Sequence, residues 1–129
     1  MSFTLINPAT GYSNGLLAEA GGRLLFVAGQ IAWDENENIV SDDFVEQFDR
    51  ALENVVAVVK AAGGKADNIA RIVIYVTDKV EYRERTKGVG DRYRKHMGKH
   101  FPAMVLVEVK GLLDDRAKVE IEGMAVLPA

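Results

Sequence analysis

The sequence predicts an α+β domain in which helices pack on one face of a mixed β-sheet. Three observations carry this. The runs Leu24–Ala28 and Ile69–Val76 are short, apolar and rich in β-branched or aromatic residues, as buried strands are. Apolar residues recur at helical spacing from Phe44 to Ala62, which predicts one long amphipathic helix. At 129 residues the chain has the size of a single domain, 1–129, able to bury a core without disulfide or metal staples.

The first run follows Gly21-Gly22 and ends at Gly29. Asp34 to Asn38 is polar, and Ile39-Val40 resumes only briefly before Ser41-Asp42-Asp43, so a loop or hairpin arm leads into the helix. Asp43 with Glu46 three residues later has the spacing of an N-terminal cap. Phe44, Phe48, Ala51, Leu52, Val55, Val59 and Ala62 form the buried stripe, and Gly63-Gly64 supplies the stop.

In the second strand Ile72, Val73, Ile74 and Val76 are nearly continuous, which suits burial on both faces or an oligomer contact. Tyr82, Thr86, Val89, Tyr93 and Met97 predict a second, thinner helix, interrupted by Gly88 and Gly90 and ended by Pro102. Ala103–Val109 and Lys118–Val126 read as two final strands separated by the loop around Gly111 to Arg116. Alternation places Glu120 and Glu122 on one sheet face. Two helices cannot cover both sides of such a sheet, and the apolar excess in the strands predicts an oligomer.

With 48% hydrophobic and 27% charged residues, the chain is too apolar for disorder and too mixed for a membrane protein. No apolar run approaches the roughly 20 residues of a membrane span, and the first ten residues lack a signal-peptide pattern. The absence of cysteine excludes thiolate nucleophiles and cysteine metal sites and fits a reducing compartment, so the expected location is cytoplasmic. A net charge of −3 gives no global reason to bind nucleic acid. The charge is nevertheless uneven: eight acids and one base lie between Asp34 and Glu53, whereas Arg83, Arg85, Lys87, Arg92, Arg94, Lys95 and Lys99 cluster later.

Candidate chemistry is sparse. His96 and His100 are four apart, the spacing of two imidazoles on one helix face, but Gly98 and Pro102 disturb that turn and no third ligand is evident, so no metal site is expected. Ser2, Ser13 and Ser41 are the only serines, and none sits in a nucleophile elbow. Gly88-Val89-Gly90 lacks the third glycine of a dinucleotide fingerprint. The remaining candidates are Glu120 and Glu122, either two solvated acids or an acid at a pocket suited to general acid or base work.

Five patterns occur in order: Leu25-Phe26-Val27-Ala28-Gly29-Gln30; Gln47 followed by Leu52-Glu53-Asn54-Val55; Ala61-Ala62-Gly63-Gly64; Ile74-Tyr75-Val76-Thr77-Asp78; and Phe101-Pro102-Ala103 with Val119-Glu120-Ile121-Glu122. Across nearly its whole length the chain resembles the RidA/YjgF family. The resemblance implies a chorismate-mutase-like fold with two helices on one sheet face, assembled as a homotrimer with small-molecule clefts between subunits. It also implies hydrolysis of reactive enamines or imines, such as 2-aminoacrylate, to a keto acid and ammonia with no metal or organic cofactor. Older names for the same family are endoribonuclease and translation inhibitor.

Carried onto this sequence, the family's Ser-Gly-Gln becomes Ala28-Gly29-Gln30, without the hydroxyl, and its water-activating glutamate matches Glu120. The substrate-binding segment matches Ala103-Met104-Val105, with Met104 where the family holds the substrate carboxylate with arginine. The pocket asparagine falls near Thr86 and the pocket tyrosine near Gly15, with Tyr12 close by. Loss of a bidentate arginine–carboxylate pair weakens binding on the order of a hundredfold, and methionine favours an apolar ligand instead. Arg116 is the one nearby candidate for a displaced guanidinium. The expected function is therefore a small-molecule-binding protein of RidA type, an imine deaminase with altered substrate; the alternatives are a non-enzymatic binding or chaperone-like module and an endoribonuclease.

Overall fold

The structure, a computed structural model, describes residues 3–19 and 21–129. It opens with a hairpin of β1 (Phe3–Ala9) and β2 (Tyr12–Ala18), turned at Gly11 with φ 84°. No sequence pattern signals this hairpin: Leu5, Ile6 and Leu17 are exposed, and Asn7, Pro8, Asn14 and Gly15 break any alternation. The predicted first strand is β3 (Arg23–Gln30), extended past Ala28 by a bulge between Val27 and Gln30 where it pairs with the last strand. The arm at Ile39-Val40 reduces to a single bridge between Trp33 and Ile39.

Helix α1 (Phe44–Ala61) starts as predicted, with the Asp43 carboxyl accepting the Glu46 N–H at 3.0 Å, and stops before Gly63 at φ 90°. Strand β4 (Ile69–Val76) follows a short 3₁₀ turn. The predicted second helix is two: α2 (Lys79–Glu84), capped by Asp78, and α3 (Thr86–Met97), separated at Arg85. Thr86 is exposed rather than on the buried stripe. The chain leaves α3 at Gly98, φ 60°, before Pro102 is reached. Gly88 does not break the helix; a Cβ there would stand 3.1 Å from Val45 Cγ2, so glycine lets α3 approach α1. Strands β5 (Ala103–Glu108) and β6 (Val119–Leu127) complete the chain.

The six strands form one mixed sheet, ordered β1-β2-β5-β4-β6-β3, in which β5 runs parallel to β2 and β4 and the other neighbours are antiparallel. Helices α1 and α3 cover one face. Phe44, Phe48, Leu52, Val55 and Val59 of α1 meet Ile72, Ile74 and Val76 of β4 and Val119 and Ile121 of β6 in the core. Leu52 is fully buried, and truncation to alanine costs about 2–5 kcal/mol. On the opposite face Leu24 and Phe26 are 62% and 69% exposed, and Val105 and Val107 are also exposed, so an apolar sheet surface is left uncovered within one chain.

Candidate functional site

Strand alternation aims Glu120. Val119 and Ile121 are fully buried beneath α1, so the residue between them points to the uncovered face. There the Glu120 carboxyl lies over Gly29 in the β3 bulge: a Cβ at position 29 would fall 2.8 Å from both Cδ and Oε1 of Glu120. Only glycine admits the carboxyl in this position. Glu120 forms one wall of a 360 Å³ cleft whose other walls are Ile31, Trp33, Glu37, Leu113 and Asp114.

Two buried or half-buried amides of α1 hold the loops that make this cleft. Asn54 Nδ2 donates to the carbonyls of Ile31 and Trp33, each at 3.0 Å. Gln47, wholly buried, donates from Nε2 to the carbonyls of Ser41 and Arg116 and accepts the Lys118 N–H at Oε1. All its polar atoms are thereby satisfied, as burial demands. The sequence marked both amides as pattern residues without revealing this role.

Glu122, on the same face as Glu120, does something different. It accepts the Tyr75 hydroxyl, and that hydrogen bond, with desolvation and the charges of Glu122 and Glu120, pushes the Tyr75 phenol above its ordinary pKa. The shared face read from alternation is present, but the two acids are not equivalent.

Of the other expected site residues, Ala103, Met104 and Val105 lie apart from Glu120. Tyr12, Ser13, Asn14, Arg71, Ala103, Met104 and Val105 line a second hollow of 270 Å³, and the two hollows share no lining residue. Met104 is half-buried and packs against the main core. Tyr12, not Gly15, stands beside it; Gly15 lies against Ile6. Gln30 turns back so that its Nε2 donates to the Ala28 carbonyl, and it lines neither hollow. Thr86 lines neither. Arg116 donates to Asp42 in a third hollow that shares Asp114 with the Glu120 cleft but holds neither Glu120 nor Met104.

The other motifs are structural. His100 Nε2 donates to the Ile69 carbonyl, whereas His96 contacts Asp49, so the two imidazoles serve different partners. Ser13 is buried and donates to the Phe101 carbonyl, Ser41 donates to Glu46, and Ser2 lies outside the described residues. The opposed charged segments meet across α1 and α3: Arg85 pairs with Asp43, and Arg92, Lys95 and His96 all converge on Asp49. Burial pushes the Asp49 carboxyl up, but the hydrogen bonds from His96 and Lys95 outweigh it and hold the group below the ordinary carboxylate value.

The family model described as Endoribonuclease L-PSP matches residues 4–127. The chain belongs to this family, the RidA/YjgF proteins. It is 35% identical over 108 residues to a 2-iminobutanoate/2-iminopropanoate deaminase of Salmonella typhimurium, covering 81% of this chain and 80% of the relative. A RutC family protein of Pyrococcus abyssi is 33% identical over 105 residues, 81% of this chain and 79% of the relative. Among solved structures, a Rid family protein of Yersinia pestis superposes with a TM-score of 0.85 at 26% identity, covering 98% of this chain and 100% of that one. The TdcF protein of Escherichia coli with bound serine superposes at 0.70 and 28% identity, covering 95% of this chain and 92% of that one. The mixed sheet with two main helices on one face is thus the RidA/YjgF fold. Trp33 and Leu113 emerge as cleft residues that sequence reasoning missed; the one available signal was that Trp33 is the sole tryptophan of the chain.

Proposed function

We propose that this RidA/YjgF protein binds a small C=N compound beside Glu120 and hydrolyses it to a carbonyl compound and ammonia. The observation that carries the reading is the Glu120 carboxyl seated over Gly29 at the wall of an open cleft. The deaminase named among the relatives supports it. Glu120 takes a proton from water as the oxygen bonds to the carbon of the protonated imine and the C=N π pair moves to nitrogen, giving a neutral carbinolamine. Glu120 then returns that proton to the amino nitrogen, the C–N bond breaks to release ammonia, and the carboxylate takes the hydroxyl proton as oxygen forms the carbonyl, passing it to ammonia or solvent.

In this proposal the protein works as a homotrimer, with the uncovered sheet face buried between subunits and the Tyr12–Met104 hollow of one subunit completing the Glu120 cleft of another. Neither a metal nor an organic cofactor enters the reaction. The half-buried Met104 favours a second reading, a binding module without turnover. The ribonuclease reading, which rests on the older family name and the basic stretch Arg83 to Lys99, has less support where Arg85, Arg92 and Lys95 pair with acids of the same chain. The deciding experiment generates imines in situ and follows carbonyl release by wild type and Glu120→Gln. Turnover by wild type, lost in the variant, is expected; no turnover of any imine favours the binding module.

A further inference from the structure

Among the described residues, Arg71 is a cation without a counter-ion. Six of the eight arginines donate to a carboxyl or a carbonyl of the same chain, and only Arg71 and Arg83 do not. Arg83 belongs to α2, whereas Arg71 lines the Tyr12–Met104 hollow. Strand parity puts it there. Ile72 and Ile74 face the core, so Arg71 lies on the uncovered face of β4, a central strand of the sheet. Its cross-strand neighbours are Ala103 on β5 and Met124 on β6, and neither can neutralise it.

A guanidinium on this face is well solvated only while water covers it. Once a second subunit covers the sheet, an uncompensated charge is strongly unfavourable and calls for an anion. The hollow around Arg71 contains no acid, and Ser13 and Asn14 already donate to the Phe101 and Asn7 carbonyls. Arg71 and the Tyr12 hydroxyl are left to receive a ligand, and the planar guanidinium fits a carboxylate through two charge-assisted hydrogen bonds. The Glu120 cleft has the opposite sign, with the carboxyls of Glu37, Asp114 and Glu120 in its lining. Joined across a subunit boundary, the two linings match a ligand with a carboxylate at one end and a protonated imine at the other. We propose that Arg71 of one subunit is the substrate-binding residue that holds the carboxylate of a 2-imino acid whose C=N group lies at Glu120 of another. This role rests on the composite cleft proposed above and goes beyond it in naming the cation, which Met104 cannot be and which Arg116, paired with Asp42, is not.

The probes are pyruvate, the smallest 2-keto acid, and pyruvamide, which keeps the shape without the charge; ligand-observed magnetic resonance follows both on the intact protein. Wild type is expected to bind pyruvate at least about tenfold more tightly than pyruvamide. Arg71→Met should weaken pyruvate about a hundredfold, the loss of a bidentate pair, and leave pyruvamide unchanged. Arg71→Lys should restore part of that loss, because it returns the charge without the planar fork. Equal binding of the two probes by wild type, or unchanged pyruvate binding by Arg71→Met, overturns the proposal. So does a loss of pyruvate binding that accompanies loss of the assembled mass in solution, the sign of an ion pair between subunits and not of a ligand contact. Loss of pyruvate binding by an assembled Arg71→Met protein, with a wild type that turns over no imine, upholds Arg71 and overturns the deaminase reading instead. Imine hydrolysis with pyruvate binding indifferent to Arg71 leaves that reading standing and removes Arg71 from it.

Discussion

The Glu120 carboxyl and the Cα of Gly29 are so close that a methyl group at position 29 would come within 2.8 Å of it. Gly29 has no positive φ, so the requirement for glycine is space and not backbone conformation. Gly29→Ala should therefore displace Glu120 while leaving the sheet formed. Because the atoms in the way are the far end of a flexible side chain, the loss of stability is small, and activity should fall more steeply than melting temperature. Paired kinetics and calorimetry check this, and an active Gly29→Ala protein would contradict the role given to Glu120.

Gln47 bridges Ser41, Arg116 and Lys118 from a fully buried position. Gln47→Ala leaves buried backbone groups unpaired and should cost about 3 kcal/mol. Amide exchange at Lys118 should accelerate beyond that of β4, which chemical-exchange mass spectrometry can resolve.

Asp49 is held below its ordinary pKa by His96 and Lys95 against the opposing effect of burial. Its contribution to stability is present above the unfolded carboxylate value of about 3.9 and is lost as pH falls through the lower folded value. Asp49→Asn should thus lower the melting temperature at neutral pH and flatten its decline below about pH 4. The expected loss is about 2 kcal/mol, since charge-assisted bonds from Lys95 and Arg92 also disappear.

Tyr75 donates to Glu122, and its phenol is raised above the ordinary value; burial raises Tyr93 as well. For a raised phenol, stabilisation is complete below the unfolded value of about 10 and disappears as pH climbs through the folded one. Ultraviolet titration of the native protein should show these two phenols ionising late, and Tyr75→Phe should remove one late step. Ionisation of both Tyr75 and Tyr93 at the ordinary pH would refute the assignment.

Much of the fold was legible because its central elements are covered by apolar contacts. Helix α1 announces itself through Phe44, Phe48, Leu52, Val55 and Val59, all now in the core, and β4 through residues buried on both faces. The β1–β2 hairpin was not legible, since Leu5, Ile6 and Leu17 stay exposed within one chain and leave no alternating pattern. The break at Arg85 was hidden because a stripe from Tyr82 to Met97 keeps helical spacing across it. Alternation delivered the shared face of Glu120 and Glu122, but not that one would meet Tyr75 and the other Gly29. Residues 33, 113 and 120 converge through loops, where spacing carries no information about distance. The acidic and basic segments were each visible, and only the packing of α3 on α1 reveals them as complements.

Gln47 and Asn54 anchor the two cleft loops to one helix, seven residues apart and hence about 10 Å along its axis. The helix acts as a gauge bar for the opening: a ligand that wedges the loops apart must break the Gln47 or Asn54 hydrogen bonds or bend α1. Aperture and lining are therefore separable traits. Exchanging Trp33 or Leu113 changes the lining of the opening while the hydrogen bonds that set its width stay in place.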